Sequence, residues 1–202
     1  MGRPRRHDEH TRAALLAAAE EIVAEHGAAA LSVRAVAETA GTTTRAVYSL
    51  FGSKDGLLVE ALARDAFRFL FVEIGKLEET DDPVADVIAV GGVFRRLVRE
   101  HPALYRIAFQ RVVPGLDSGP ELTAARGKAW VQLVAKFERL HAAGLLAEKT
   151  ASEAAVELIA LMEGLGNAEL RGAVLRLLPE GNEEETWRNA LATLLRGFAT
   201  AP

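Results

Sequence analysis

From Leu15 to Phe198 the apolar side chains recur three and four positions apart, and no stretch of strand length alternates apolar with polar residues. This spacing predicts helix almost throughout, because only a period near 3.6 residues gathers such positions onto one face. Ala, Leu, Glu and Arg fill the segments. Breaks fall at Gly27, Gly41-Thr42, Gly52-Ser53, Thr80–Pro83, Pro114–Pro120, Gly144 and Pro179–Asn182. The expected fold class is therefore all-α. Helices are expected near 9–26, 32–40, 43–51, 53–77, 83–100, 103–111, 120–142, 151–177 and 183–199.

Individual stripes say which helices are amphipathic and which are enclosed. The first carries Leu15, Leu16, Ala19, Ile22 and Val23 on one side, and Gly27 stands where a C-terminal cap belongs. Ser32 is the expected N-cap of the second, which places Val33, Val36, Ala37 and Ala40 together. The segment from Ser53 is apolar on more than one stripe, as a helix between two packed bodies must be. Residues 151–177 show two stripes, Val156/Ile159/Ala160 and Leu158/Leu161/Met162/Leu165, enough to cover two neighbours. The final helix presents Trp187, Leu191, Leu194 and Phe198. Thr150…Glu153 and Asn182…Glu185 have the spacing of capping boxes.

Composition removes several chemistries. The 202 residues contain no cysteine, which excludes disulfides, thiolate catalysis and cysteine-ligated metals. The five histidines lack metal-ligand spacing, and neither a nucleophile elbow nor a phosphate-cradling glycine loop is present, so neither an enzyme nor a cofactor is expected. No secretory core, myristoylation pattern or spanning segment is seen, and a soluble, cytoplasmic protein is the expectation. With 28 acidic against 24 basic residues, any attraction for nucleic acid must come from a local surface.

Residues 32–51 supply such a surface. Two short helices flank Ala40-Gly41-Thr42, and Gly41 can take the positive φ of a tight interhelical turn. That is the arrangement of a helix-turn-helix, whose second helix fits the major groove. With Val47 and Phe51 inward, the opposite face shows Thr43, Thr44, Arg45, Tyr48 and Ser49. Hydroxyls suit phosphates and base edges, and a guanidinium grips guanine bidentately. The competing reading is a helical adaptor, with Tyr48 an ordinary half-buried aromatic and Lys54 a solvated helix-start lysine.

The ordered string Leu31-Ser-Val-Arg-Ala-Val-Ala37, Ala40-Gly-Thr-Thr-Thr-Arg-Ala-Val-Tyr-Ser-Leu-Phe51 and Gly52-Ser-Lys-Asp-Gly-Leu57 resembles the DNA-binding domain of TetR-family transcriptional regulators over about residues 9–62. The resemblance implies a DNA-binding helix-turn-helix domain over 1–52, a three-helix head, and a larger helical ligand-binding and dimerisation domain over 53–202. It implies recognition contacts from Thr43, Thr44, Arg45 and Tyr48, and phosphate contacts from Ser32, Arg34 and Lys54. Two positions depart from the family pattern. Leu50 replaces a frequent His, removing one phosphate donor, and Arg45 replaces a frequent Gly, adding a side chain that can read a base.

The second domain offers Phe94, Tyr105, Phe109, Trp130, Phe137 and Met162 as candidate linings of an apolar effector pocket, with Glu163 or Asn167 as polar handles. Equally, the aromatics can be core, and Glu163 and Asn167 can satisfy each other across a dimer interface. The run His101–Phe109 is similar to a segment of one subgroup of these domains, although the Trp-His-Gly that often accompanies it is replaced nearby by Ile159 and Glu163-Gly164. The resemblance implies a homodimer through the last two helices, a double-stranded DNA operator, a small-molecule effector and no membrane. The Trp187-to-Phe198 face is an expected dimer contact, with Leu194→Arg giving monomers.

The amino-terminal Arg3-Pro4-Arg5-Arg6 is either a minor-groove arm or a solubilising tail. If it is an arm, deleting residues 2–6 weakens DNA binding and reduces the slope of log affinity against log salt by about one per lost phosphate contact. An unchanged slope identifies a tail.

Overall fold

Helical spacing is realised throughout the described residues. The computed structural model describes residues 5–27, 30–52, 55–110, 119–172 and 182–199, and among these there are nine α-helices and no strand. They are α1 (Arg5–His26), α2 (Val33–Thr39), α3 (Thr44–Phe51), α4 (Asp55–Gly75), α5 (Pro83–Glu100), α6 (Pro102–Phe109), α7 (Pro120–Ala142), α8 (Ala151–Arg171) and α9 (Glu183–Ala199). Ser32 and Thr150 cap α2 and α8 as their side chains predict, and Thr150 and Glu153 complete a reciprocal capping box. At Asn182 it is the backbone carbonyl that is engaged, accepting from the N–H and hydroxyl of Thr186. The eighth helix stops earlier than 177. Gly172 turns left-handed at φ 65° and returns its N–H to the carbonyls of Ala168 and Glu169.

Packing gathers these helices into two units. One comprises residues 1–67 and 101–124, the other 68–100 and 125–202, so α4 and α7 each contribute to both. The division expected from the sequence, 1–52 and 53–202, draws its boundary elsewhere. The first unit is centred on Leu15, Ala19 and Ile22 of α1, Val36 and Ala37 of α2, Val47 and Phe51 of α3, and Leu62 of α4, all buried. α6 lies against α1, and His101 at its start brings Nδ1 within 3.7 Å of the Glu20 carboxylate.

The second unit is built around α5. Its inward stripe of Val87, Val90, Phe94, Leu97 and Val98 is buried, and its contacts with α9 are close because residue 91 is Gly. A Cβ there would collide with the Leu191 side chain. This packing corrects the expected outer face of α9. Trp187, Leu191 and Phe198 are buried inside the subunit, and the fourth inward position is Leu195, with Leu194 half-buried beside it. From Leu191, a step of four stays closer to the stripe than a step of three. The face is consumed by the chain's own core and is not available to a partner.

One buried carboxylate pins the loop before α5. Asp86, only 5% exposed, accepts from the Thr80 N–H at 3.1 Å, from the Thr80 hydroxyl at 2.8 Å and from the Arg139 guanidinium of α7. Burial raises its pKa, but the bonds from Thr80 and Arg139 outweigh it and the net shift is downward. A lowered folded-state pKa means stability that is present above the unfolded value, near 3.8, and is lost as pH falls through the folded value. Asp86→Asn should cost about 2–3 kcal/mol at pH 7, as charged hydrogen bonds are weakened or lost. Urea unfolding at pH 7 and again below pH 3 checks this: the gap should close in acid, and a gap independent of pH contradicts the ion-pair account.

Candidate nucleic-acid interface

The turn between α2 and α3 is set by three local choices. Gly41 adopts φ 63°, a left-handed conformation that suits glycine. The Thr42 N–H closes back on the Ala37 carbonyl at 2.9 Å. Thr43, extended at φ −110°, caps α3, its Oγ1 accepting from the Ala46 N–H at 3.2 Å. Val47, 1% exposed, and Phe51 then anchor the eight-residue helix inward. Gly52, at φ 89°, ends it.

What remains outside is the predicted face. Thr43, Thr44, Arg45 and Ser49 are exposed, and Tyr48 is 48% exposed, a large fraction for an aromatic. Their hydroxyls and single guanidinium thus share one surface over a rigid apolar base. Two hydroxyl oxygens serve as helix caps, Thr43 Oγ1 on Ala46 N–H and Ser32 Oγ on Ala35 N–H at 3.1 Å. Each retains its O–H as a donor, which is the polarity a phosphate oxygen requires.

Arg34 is exposed but engaged. Its Nε donates to Glu38 Oε1 at 2.8 Å, and the hydrogen bond and charge of Glu38 raise its pKa. A phosphate contact from Arg34 has to share or displace this intrahelical pair. Lys54 and the expected cap Ser53 lie outside the described residues, as do Arg3 and Pro4 of the terminal segment. Arg5 and Arg6 already belong to the first turn of α1.

Sequence reasoning missed the group that fixes the far end of α3. The Arg12 guanidinium of α1 lies over the Phe51 ring, 5.4 Å from its centroid, and reaches Asp65 of α4 at 3.3 Å. One side chain of α1 therefore ties α3 to α4 through a cation–π contact and an ion pair. Arg12 and Asp65 are 53 positions apart, so no short-range pattern marks them.

The eight candidate effector contacts do not converge. In the first unit Tyr105 is fully buried and stacks on Phe109 at 5.6 Å, and Phe109 meets Phe67 at 5.3 Å. In the second unit Phe94 packs on Trp187 at 6.4 Å, Phe137 packs on Phe198 at 6.4 Å, and Met162 is buried. Trp130 is half-buried, as are Glu163 and Asn167 on α8, where burial raises the Glu163 pKa. A cleft of about 840 Å³ opens elsewhere in the second unit, between the end of α4, the outer side of α5 and the start of α9. Of the eight candidates, Phe94 and the others are all absent from its lining.

The sequence profile described as "Bacterial regulatory proteins, tetR family" matches residues 15–61, and that described as "Tetracyclin repressor-like, C-terminal domain" matches residues 87–194. The chain is 33% identical over 129 residues to the HTH-type transcriptional regulator Rv1816 of Mycobacterium tuberculosis, covering 61% of this chain, and equally to Mb1846 of Mycobacterium bovis. It spans 54% of the length of these curated relatives. A Rhodococcus sp. RHA1 protein described as of unknown function superposes with a TM-score of 0.76 at 25% identity, over 94% of this chain and 96% of that one. The TetR-family regulator PfmR of Thermus thermophilus shares the fold at a TM-score of 0.68 and 20% identity, over 90% of this chain and 97% of its own. No described helix is long and apolar enough to cross a membrane.

Proposed function

This chain belongs to the TetR family, and on that premise we propose that it is a DNA-binding helix-turn-helix transcriptional regulator, a cytoplasmic repressor that leaves a palindromic operator when a small-molecule effector binds its C-terminal domain. The observation that carries the reading is the exposed Thr43, Thr44, Arg45, Tyr48 and Ser49 surface of α3 above buried Val47 and Phe51. Thr43 also caps α3, but the core of the first unit leaves all five side chains exposed, and together they fit a major groove. Ser32, Arg34 and Lys54 contribute backbone positioning, and Arg45 the principal base contact.

A single short helix reads too few base pairs for operator-level specificity, so the regulator acts as a two-fold homodimer. α8 and α9 supply the dimer surface. The Leu158 and Met162 side of α8 is buried, while Val156, at 56% exposure, and Ala160 remain on the outside with the half-buried Ile159. The role is regulatory rather than catalytic, and the coupling runs through α4, which contributes residues to both packing units. An effector that shifts α4 changes the spacing of the paired recognition helices. Coupling of about 1–3 kcal/mol lowers operator affinity roughly 5–150-fold. Fluorescence anisotropy on an operator selected from random duplex DNA, repeated with candidate effectors, checks it. A compound that saturates the C-terminal domain without changing operator affinity is not the effector, and tighter binding makes the protein a ligand-dependent activator or co-repressor system instead.

A further inference from the structure

We propose that the cleft between the end of α4, α5 and the start of α9 binds a small amphipathic anion, a carboxylate on an apolar body. The hollow is cut by small residues. Ala85, Ala89 and Gly92 follow one another along the exposed side of α5, and a Cβ on Gly92 would meet nothing within 4 Å. Ile88, Val93, Trp187 and Leu191 give it an apolar wall. A volume of about 840 Å³ lies within the range of small-molecule sites.

Charge decides the class of ligand. Lys76, Arg95, Arg96, Arg99 and Arg188 line the cleft against three carboxylates, Glu73, Glu100 and Glu184. The cations are unequally committed. Arg95 is nearly buried and held by Glu169 through two bonds of 2.9 and 3.1 Å, while Lys76 and Arg96 share Glu73, whose pKa their hydrogen bonds lower. Arg99 reaches Glu169 only at 3.7 Å, beyond hydrogen-bond length, and Arg188 makes one exposed pair with Glu184. Exposed pairs of this kind are weak and readily exchanged. Arg99 and Arg188 are therefore the groups with capacity for an incoming carboxylate.

The wall carries a second sign of a missing partner. Trp187 is 3% exposed, and its buried Nε1–H has no acceptor among the described residues. Buried donors normally find one, and an acceptor atom on a bound ligand would supply it after a small shift of the ring. A purely apolar or cationic occupant satisfies neither the arginines nor the indole.

As an effector site, the cleft rests on the ligand-responsive reading above; as a binding site it does not. Calorimetry of the full chain with octanoate, 1-octanol and octyltrimethylammonium separates the two. Octanoate should bind once per chain, about tenfold or more tighter than either competitor. Arg99→Gln with Arg188→Gln should erase that preference. Gly92→Phe should remove binding, with unchanged thermal unfolding, and Ala89→Phe provides a second obstruction should Gly92→Phe fold poorly. No octanoate binding, or binding indifferent to both obstructions, overturns the site. Octanoate bound in the cleft without any change in operator affinity leaves the site standing and removes its effector role.

Discussion

Replacing Arg45 with Ala and Tyr48 with Phe should abolish specific operator binding and leave the protein folded. Neither side chain belongs to the core: both are exposed, whereas Val47 and Phe51 between and beside them are buried and hold α3 in place. A bidentate Arg–guanine contact is worth about 1–3 kcal/mol and a lost hydroxyl hydrogen bond about 0.5–1.5 kcal/mol. A dimer loses each twice, about 3–9 kcal/mol in all, which is at least a hundredfold in affinity. Anisotropy on the selected operator measures the loss, and circular dichroism melting verifies the fold. Non-specific, salt-dependent binding should survive better, since phosphate contacts remain. A double variant that still discriminates operator from random duplex would take sequence reading away from Arg45 and Tyr48, and a wild-type chain that shows no such discrimination would be a helical adaptor. Val47→Ala is the contrasting control, lowering DNA binding through stability.

Placing Arg at both Val156 and Ala160 of α8 should give monomers, and with them loss of tight operator binding. These two positions sit one turn apart on the side of α8 that the chain's own packing leaves open. An arginine buried against its symmetry mate costs several kcal/mol in desolvation unless a partner carboxylate is found. Two per subunit should shift dimer dissociation by more than about a hundredfold. Sedimentation velocity at micromolar concentration reads the outcome. A variant dimer of unchanged strength would move the interface elsewhere, and Leu194→Arg, half-buried on α9, then tests the neighbouring helix.

The fold was legible in the sequence because its determinants are local. Ser32, Gly41, Thr43 and Thr150 act within four residues of themselves, and the helical stripes need only a period. The outward face of α3 was legible for the same reason: once Val47 and Phe51 face inward, helical geometry alone places Thr44, Arg45 and Tyr48 outward. Tertiary partners were not legible. Arg12 on Phe51 and Asp65, and Arg139 on Asp86, join positions more than thirty residues apart, and no local pattern encodes such pairs. The α9 stripe was misassigned by one residue, since 194 and 195 are both near the helical period from 191 and it is Leu195 that the core buries. The candidate effector contacts were five aromatics and Met162 with Glu163 and Asn167 as polar handles, and their distribution over two packing units could not be read from spacing. The cleft beside α5 is lined by small residues and arginines, whose shared face is visible only once α9 is in place.

Hydroxyl-radical footprinting of the full chain on an operator enriched from random duplex DNA bears most directly on the role given to α3. Two protected segments related by a two-fold axis, with centres about 10–10.5 base pairs apart, are predicted, both lost in the Arg45→Ala, Tyr48→Phe protein. Failure to enrich any sequence, or protection that persists unchanged in that variant, would contradict it.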